Sequence, residues 1–338
     1  MKMTVLSDGG WGTALALVLQ ANGHQVQLWG PFPEYLAEMA KTRENTRFLK
    51  GVPLPPGLEL EPDLARAVTG AGMLILAAPA QFMRGLLEKL QPLNPAPEIP
   101  LVSVAKGIEV RSGKRMSELV AELLGPRRLV VLSGPSHAEE VARRVPTAVV
   151  AAAAAPADAE FVQNAFMNKV FRVYTSADVV GVELGGALKN VLALAAGVCD
   201  GMGFGDNTKA ALMTRGITEL ARLGKALGGR PETFFGLSGI GDLIVTCTSR
   251  HSRNRHVGEE LGKGRALADI QKEMGLAVAE GVPTAESAWR LAHAAGVETP
   301  IIDQVHAGLY AGKDPRQAVL ELMTREGKAE HPADFLTG

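Results

Sequence analysis

Cysteine is scarce in this chain, and neither sign of charge is in excess. Cys199 and Cys247 are the only two cysteines among 338 residues. They are far apart in sequence, with no C-x-x-C neighbour and no histidine at zinc-finger spacing. That excludes a disulfide scaffold and a structural zinc, and it fits a reducing cytosol. The formal net charge is −1, so neither nucleic acid nor an anionic membrane is expected as the main partner. No secretory leader is expected, because the first strand starts almost at Met1. Charge-free apolar stretches are too short to span a bilayer, and they carry Gly and Ala rather than lipid-facing bulk, so no membrane insertion is expected. What remains is the composition of a soluble, cytoplasmic globular protein, 46% hydrophobic and 21% charged. The length suits roughly two domains of about 150 residues each.

The first half alternates β-rich runs with helical stretches. Strands are expected at Met3–Ser7, Gln25–Trp29, Met73–Ala77, Leu101–Ala105, Leu129–Leu132, Thr147–Ala151 and Val170–Tyr174. Near-continuous apolar runs such as LVVLS indicate strands covered on both faces, hence a mostly parallel sheet. Lys41–Leu60 reads as a long loop excursion. From Asp178 the spacing turns helical, at Val179–Val198, Asn207–Leu227, Asn254–Leu261, Leu267–Met274, Pro283–Ala295, Ile301–Ala311 and Pro315–Met323. The expectation is an α/β Rossmann-type doubly wound N-terminal domain, residues 1–177, followed by an all-α C-terminal domain, residues 178–338. No internal repeat is visible, and no disordered tract is expected outside the last ten residues.

The first strand runs into Ser7-Asp8-Gly9-Gly10-Trp11-Gly12, where a helix opens. Gly9 allows the backbone to approach a pyrophosphate, and Gly12 allows the helix to pack close to the strand. The helix N-terminus offers free N–H groups and the positive end of its dipole to phosphates. Ser7 stands where the G-x-G-x-x-G fingerprint has its first glycine, so the motif is degraded, and an ordinary strand-turn-helix remains open. The second strand ends in Trp29-Gly30-Pro31-Phe32, without the carboxylate or arginine that usually reads the ribose.

Three lone charges stand in apolar surroundings. Lys189 is the single charge in LGGALKNVLALAAGVC, flanked on its helical face by Gly185, Gly186, Leu192 and Ala193. It either snorkels to the surface or is buried for proton transfer. Asp242 is the single charge in FFGLSGIGDLIVTCTS. It pairs with Lys189 or caps a helix after Gly241, and the two roles are compatible. Lys106 ends the strand PLVSVAK, where doubly wound folds bind ligands, or it is merely solvated. Arg250, His251, Arg253, Arg255 and His256 cluster before a helix. They suit a phosphate monoester, or form a solvated basic loop. His137 reads as a loop residue, because nothing nearby marks it as a base.

These residues bring a family into view. The chain resembles the bacterial NAD(P)-dependent glycerol-3-phosphate dehydrogenases over nearly its whole length. The matching stretches are GGWGTALA, NTRFLKGVPLP, SVAKGIE, SGPSHAEEV, GALKNVLALAAG, GIGDLIVTCTSRHSRNRHVG and VAEGVPTA. The resemblance implies Lys189 as the catalytic proton donor and Asp242 as its acidic partner. It implies Lys106, Gly134 and Ser136 as substrate contacts, with Lys106 also near the nicotinamide. Ser252, Arg253 and Asn254 become the phosphate clamp, Arg253 also reaching the cofactor. Gly10, Trp11, Ala138, Val278 and Glu280 join Gly9 and Gly12 as cofactor contacts.

The implied reaction is the reversible NAD(P)H-dependent reduction of dihydroxyacetone phosphate to sn-glycerol 3-phosphate, which supplies phospholipid synthesis. A homodimer is expected, and no metal. The rivals are a two-domain dehydrogenase for another phosphorylated or acidic hydroxy substrate, and a nucleotide-sensing module without turnover. Family members have Gly-Ala where Ser7-Asp8 stand, and commonly Arg where Pro31 stands. Asp8 is therefore expected to face the pyrophosphate and weaken dinucleotide binding. Pro31 is expected to leave little preference for NADPH over NADH.

Overall fold

The computed structural model describes residues 1–327, 329 and 330. Residues 331–338 of the expected patternless tail lie outside the described residues. Contacts divide the chain into two compact units. The first is Met1–Lys106 with Lys114–Val179, and the second is Gly107–Gly113 with Val180 onward. Gly107–Gly113 belongs to the second unit because Ile108 is fully buried in that unit's core, where Ser287 Oγ donates to its carbonyl at 3.4 Å.

In the first unit the strands are β1 (Lys2–Leu6), β2 (Gln25–Trp29), β3 (Glu44–Asn45), β4 (Leu49–Pro53), β5 (Glu59–Glu61), β6 (Met73–Leu76), β7 (Leu101–Ser103), β8 (Leu129–Ser133), β9 (Thr147–Ala152) and β10 (Phe171–Ser176). Its helices are α1 (Gly10–Ala21), α2 (Pro33–Thr42), α3 (Leu64–Val68), α4 (Ala80–Leu90), α5 (Met116–Leu124), α6 (Ala138–Ala142) and α7 (Pro156–Phe166). The main sheet has the order β10-β9-β8-β7-β6-β1-β2-β5, parallel throughout except between β8 and β9. Alternate residues of β1 feed two cores. Met3 and Val5 join Leu15, Leu19 and Phe166 on one face, and Leu6 joins Leu74, Met83 and Leu119 on the other. Burial on both faces is why these strands read as apolar runs rather than alternating ones. The chain leaves β1 toward β2 and later returns to β6 on β1's other side. The switch point of the sheet thus lies beside the carboxyl end of β1, the place where doubly wound sheets bind ligands.

One expectation fails here. Lys41–Leu60 is not a structureless loop. It carries the antiparallel pair β3–β4 and the edge strand β5, which pairs with β2. Asn45 anchors the hairpin. Its Nδ2 donates to the Asp8 carbonyl and to Thr13 Oγ1, both at 2.7 Å, and its Oδ1 accepts from Tyr35 Oη at 2.6 Å. Short strands interrupted by Pro and Gly gave no periodic signal, and only the tertiary anchor reveals the hairpin's place.

The second unit is helical: α8 (Val179–Gly201), α9 (Asp206–Ala226), α10 (Asp242–Thr248), α11 (Arg253–Gly262), α12 (Leu267–Met274), α13 (Gly281–Ala294), α14 (Pro300–Tyr310) and α15 (Pro315–Met323). By length and composition α8 could cross a membrane, but here it is the buried core helix of its unit. Glycines let α11 lie against it almost backbone to backbone. A Cβ on Gly197 would come 2.0 Å from the Arg255 carbonyl oxygen, and one on Gly258 would come 2.0 Å from that of Leu194. Gly201 and Gly262 repeat the contact one turn on. Cys199 and Cys247 are buried and free, and burial pushes their thiols up to about 11 and about 12. Glu219, 2% exposed, caps α14 by accepting from the amides of Ile301 and Ile302 at 3.0 and 2.9 Å. Burial outweighs those bonds and raises its carboxyl to about 7.

Two predictions follow from this packing. Alanine is a better helix former than glycine by roughly 1 kcal/mol, so Gly→Ala stabilises a helix wherever there is room. Gly85 of α4 has open space around it, and Gly85→Ala is expected to raise the melting temperature. Gly258→Ala must push the two helices apart and is expected to lower it, with a cost of about 3 kcal/mol or more. Equal shifts in thermal melts would show that the crossing does not depend on glycine.

For Glu219 the folded chain holds a proton that the unfolded chain releases. Its stabilising contribution is full below about pH 4.5 and is lost as the pH rises through about 7. The total change is about 3 kcal/mol. Melts of the wild type and Glu219→Gln between pH 5 and 8 test this. The wild type is expected to lose stability relative to the variant as pH rises, and parallel curves would refute the assignment.

Candidate active site

The first unit gathers one group of expected residues at the carboxyl ends of its strands. Gly9 precedes α1, whose first turn is Gly10, Trp11 and Gly12. These three amides have no carbonyl four residues back to bond, which leaves them for an anion. The glycines divide their work. A Cβ on Gly10 would lie 2.4 Å from the Phe48 carbonyl oxygen, and one on Gly12 would lie 2.6 Å from that of Ser7. Chain packing therefore accounts for both. A Cβ on Gly9 would meet only Ser7 Oγ, at 3.6 Å, so the backbone is bare where a pyrophosphate would approach. Ala138, the first residue of α6, has its Cβ 3.8 Å from the same built position on Gly10. Trp11 is half-buried, and its Nε1 has no partner among the described residues.

Ser7 has φ at +143°. That region favours residues without a Cβ. Its Oγ accepts from the Gly9 amide at 3.3 Å. Asp8 departs from expectation. Its carboxyl does not line the phosphate turn but is packed against Gly30 at the end of β2, 4% exposed. Burial raises its pKa above the ordinary carboxylate value, against a smaller lowering by Arg47.

Nearby in the same unit, Lys106 Nζ donates to the Gly134 carbonyl at 2.8 Å and to Ser136 Oγ at 3.2 Å. Ser136 Oγ donates to the same carbonyl at 2.8 Å. Gly134 has φ at +133°, and a Cβ there would come 3.0 Å from Val149 Cα, so the position requires glycine. The three expected substrate contacts of this unit thus form one cluster.

The second unit holds the other group. Lys189 is 5% exposed and Asp242 1%. Lys189 Nζ donates to Asp242 Oδ1 and to Thr246 Oγ1, both at 2.6 Å. Thr246 Oγ1 in turn donates to the Asp242 carbonyl at 2.6 Å. The N-cap of α10 is Gly241, and Asp242 follows it as the first residue of the helix, entered through a single π-helical turn, Leu237–Gly241. Gly185 admits this turn, since a Cβ there would lie 2.7 Å from the Ser238 carbonyl oxygen. Thr246 was missed in the sequence, although it stands four residues after Asp242, on the same helical face.

The basic cluster sorts itself by partner. Ser252 is the N-cap of α11, its Oγ accepting from the Arg255 amide at 3.1 Å. Arg255 is held by Asp200 at 2.5 Å. Asn254 is buried, donating to Asn190 Oδ1 at 2.8 Å and accepting from the Gly281 amide at 2.9 Å. That ties α11 to α8 and to the start of α13, next to Val278 and Glu280. Asn190, adjacent to Lys189, was also missed, hidden by attention to charge. Arg253 is exposed in the first turn of α11, with no ion pair among the described residues. His137 is the residue before α6 and makes no capping bond.

Known proteins share this arrangement of sequence and fold. Residues 2–159 match the N-terminal model of NAD-dependent glycerol-3-phosphate dehydrogenase, and residues 178–320 match the C-terminal one. The chain is 53% identical to glycerol-3-phosphate dehydrogenase [NAD(P)+] of Geobacter metallireducens, covering 97% of this chain and 98% of that one. It is 48% identical to the protein of that name from Chlorobium phaeobacteroides strain BS1, over 98% and 99% of the two chains. The crystal structure of glycerol-3-phosphate dehydrogenase from Coxiella burnetii superposes with a TM-score of 0.92 at 37% identity, covering 96% and 99%. By sequence along its whole length and by fold, this chain belongs to the NAD-dependent glycerol-3-phosphate dehydrogenase family.

Proposed function

We propose that the chain catalyses the reversible NAD(P)H-dependent reduction of dihydroxyacetone phosphate to sn-glycerol 3-phosphate. The observation that carries this reading is the buried Lys189–Asp242–Thr246 cluster, tied through Asn190 and Asn254 to a helix N-terminus bearing an exposed arginine. The bare backbone at Gly9 and the first turn of α1 fit the pyrophosphate of a dinucleotide. Gly9, Gly10, Trp11, Gly12, Ala138 and Lys106 would hold it; the family resemblance adds Arg253, Val278 and Glu280 as cofactor contacts. When bound, the reduced nicotinamide supplies a hydride to the carbonyl carbon.

The chain's own part is to bind, orient and move one proton. Lys189 gives a proton from Nζ to the oxygen that becomes the C2 hydroxyl, and takes it back in the reverse direction. Asp242 keeps the ammonium charged before transfer, and Thr246 fixes its direction. The Arg253 guanidinium and the open amides of Arg253 and Asn254 bind the phosphate. Ser252 supports them as the cap, and the Asn254 side chain anchors the helix. Lys106, Gly134 and Ser136 orient the polar end of the substrate. Phosphate binding remote from the reacting carbon supplies energy for orienting it. The proposal extends to residues 1–177 as the dinucleotide-binding domain and residues 178–338 as the substrate and catalytic domain. It includes a cytoplasmic homodimer serving phospholipid synthesis, in line with the whole-length resemblance.

Oxidation of NADH and NADPH by dihydroxyacetone phosphate is the direct assay. Lys189→Ala is expected to cut turnover by about two or more powers of ten. Because that variant strands a buried carboxylate, the double variant Lys189→Met with Asp242→Asn serves as control. It should melt near the wild type and still not turn over. Near-normal turnover in either would remove Lys189 from the mechanism. At saturating cofactor, Arg253→Ala is expected to raise KM for dihydroxyacetone phosphate about 10- to 100-fold, far more than it affects the slow reaction with unphosphorylated dihydroxyacetone. Equal losses on both substrates would show that Arg253 does not read the phosphate.

A further inference from the structure

We propose that Asp8 reads the adenosine ribose of the dinucleotide, accepting from its 2′- and 3′-hydroxyls and repelling a 2′-phosphate, so that the chain selects NADH over NADPH. This deepens the reading of the first unit as the dinucleotide site and rests on it. It replaces the expectation of Asp8 as a repulsive charge beside the pyrophosphate.

In a doubly wound sheet the ribose carboxylate ordinarily stands at the end of the second strand. Here β2 ends at Trp29, and Gly30-Pro31-Phe32 follows with no acid. No side chain fits at position 30. A Cβ there would lie 2.4 Å from Asp8 Oδ2 and 2.6 Å from Asp8 Cγ. The carboxyl group therefore occupies the volume where a side chain from the end of β2 would begin, and it comes from the loop after β1 instead.

The chain holds it there on both sides. The Ser7 amide donates to the Trp29 carbonyl at 2.9 Å, extending the β1–β2 ladder up to the loop. The Asp8 carbonyl accepts from Asn45 Nδ2 at 2.7 Å.

Asp8 is 4% exposed, and its Oδ2 has no hydrogen-bond partner among the described residues. A buried polar oxygen without a donor is costly, and hydroxyl donors relieve that cost. Oδ2 is closed to solvent, so contact with the ribose requires a local shift of the loop that carries Asp8. The opposing group is Arg47, whose guanidinium lies 3.9 Å from the Tyr35 ring centroid. It is the nearby cation able to favour a 2′-phosphate.

Calorimetry with ADP-ribose and 2′-phospho-ADP-ribose tests the proposal without turnover, so its result stands whether or not dihydroxyacetone phosphate is the substrate. The wild type is expected to bind ADP-ribose about tenfold or more tightly than its 2′-phosphorylated form. The isosteric variant Asp8→Asn and the variant Asp8→Ala are both expected to lose about tenfold of that preference, mainly by weaker binding of ADP-ribose. Moving the carboxylate, in Asp8→Gly with Gly30→Asp, is expected to restore part of it, since glycine at 8 also removes the Cβ that would lie 2.8 Å from one at position 30. A wild type that prefers the 2′-phosphorylated ligand, with the preference lost in Arg47→Ala, would overturn the proposal in favour of Arg47. So would Asp8 variants that bind both ligands more tightly by one common factor, the result expected of a charge facing the pyrophosphate.

Discussion

An ammonium buried halfway along an apolar helix must find an anion and a fixed acceptor close by, and the second unit is arranged around that requirement. Lys189 meets Asp242 and Thr246 at 2.6 Å each. Breaking such a pair by removing one partner leaves an uncompensated buried charge, which is strongly destabilising. The pair constrains its neighbours. Asp242 must stand where α10 begins, and the π-helical turn before it must come close to α8. Glycine at 185 makes that approach possible, since a Cβ there would lie 2.7 Å from the Ser238 carbonyl oxygen, and Gly239 lets the turn fold back on Phe234. Single π-turns recur at functional sites because they rotate one residue off its regular helical face.

The same economy places the N-terminal end of α11. Gly197 and Gly201 of α8 meet Gly258 and Gly262 of α11, so the two helices touch along their backbones. The Asn254–Asn190 bond and the Asp200–Arg255 ion pair fix how far α11 slides along α8. Of the residues that look like a phosphate clamp, two therefore serve as scaffold. The Ser252 hydroxyl and the Asn254 amide are spent on holding the helix, which leaves Arg253 and the first-turn amides to face a ligand.

In the first unit the constraint is the tight exit from β1. Ser7 adopts a backbone conformation that suits glycine, and its amide stays bonded to β2. The next residue, Asp8, is thereby turned toward Gly30 rather than toward the phosphate turn. Its charge was plain in the sequence and its direction was not, because a loop residue's side chain points where the two flanking ladders send it.

Much was legible along the chain because it is local. Apolar runs marked buried parallel strands, helical spacing marked α8, α9 and α11 to α15 but not the short α10, and an isolated charge in an apolar helix marked Lys189. The G-x-x-x-G pairs of α8 and α11 were present but unread, since small residues signal nothing until a partner helix is known. Thr246 and Asn190 were overlooked because uncharged polar side chains acquire a role only from what they touch. The β3–β4 hairpin was misread as loop, since its short strands lack periodicity and hold through Asn45.

The sequence by itself determined the fold class, the family and the two lone charges, Lys189 and Asp242, as candidates for a buried pair, because each depends on residue type at fixed local spacing. Only the tertiary structure decided that Asp8 lies against Gly30, that Thr246 completes the lysine site and that Asn254 is scaffold. Those outcomes depend on distances between segments far apart in the chain, which packing sets and spacing does not record.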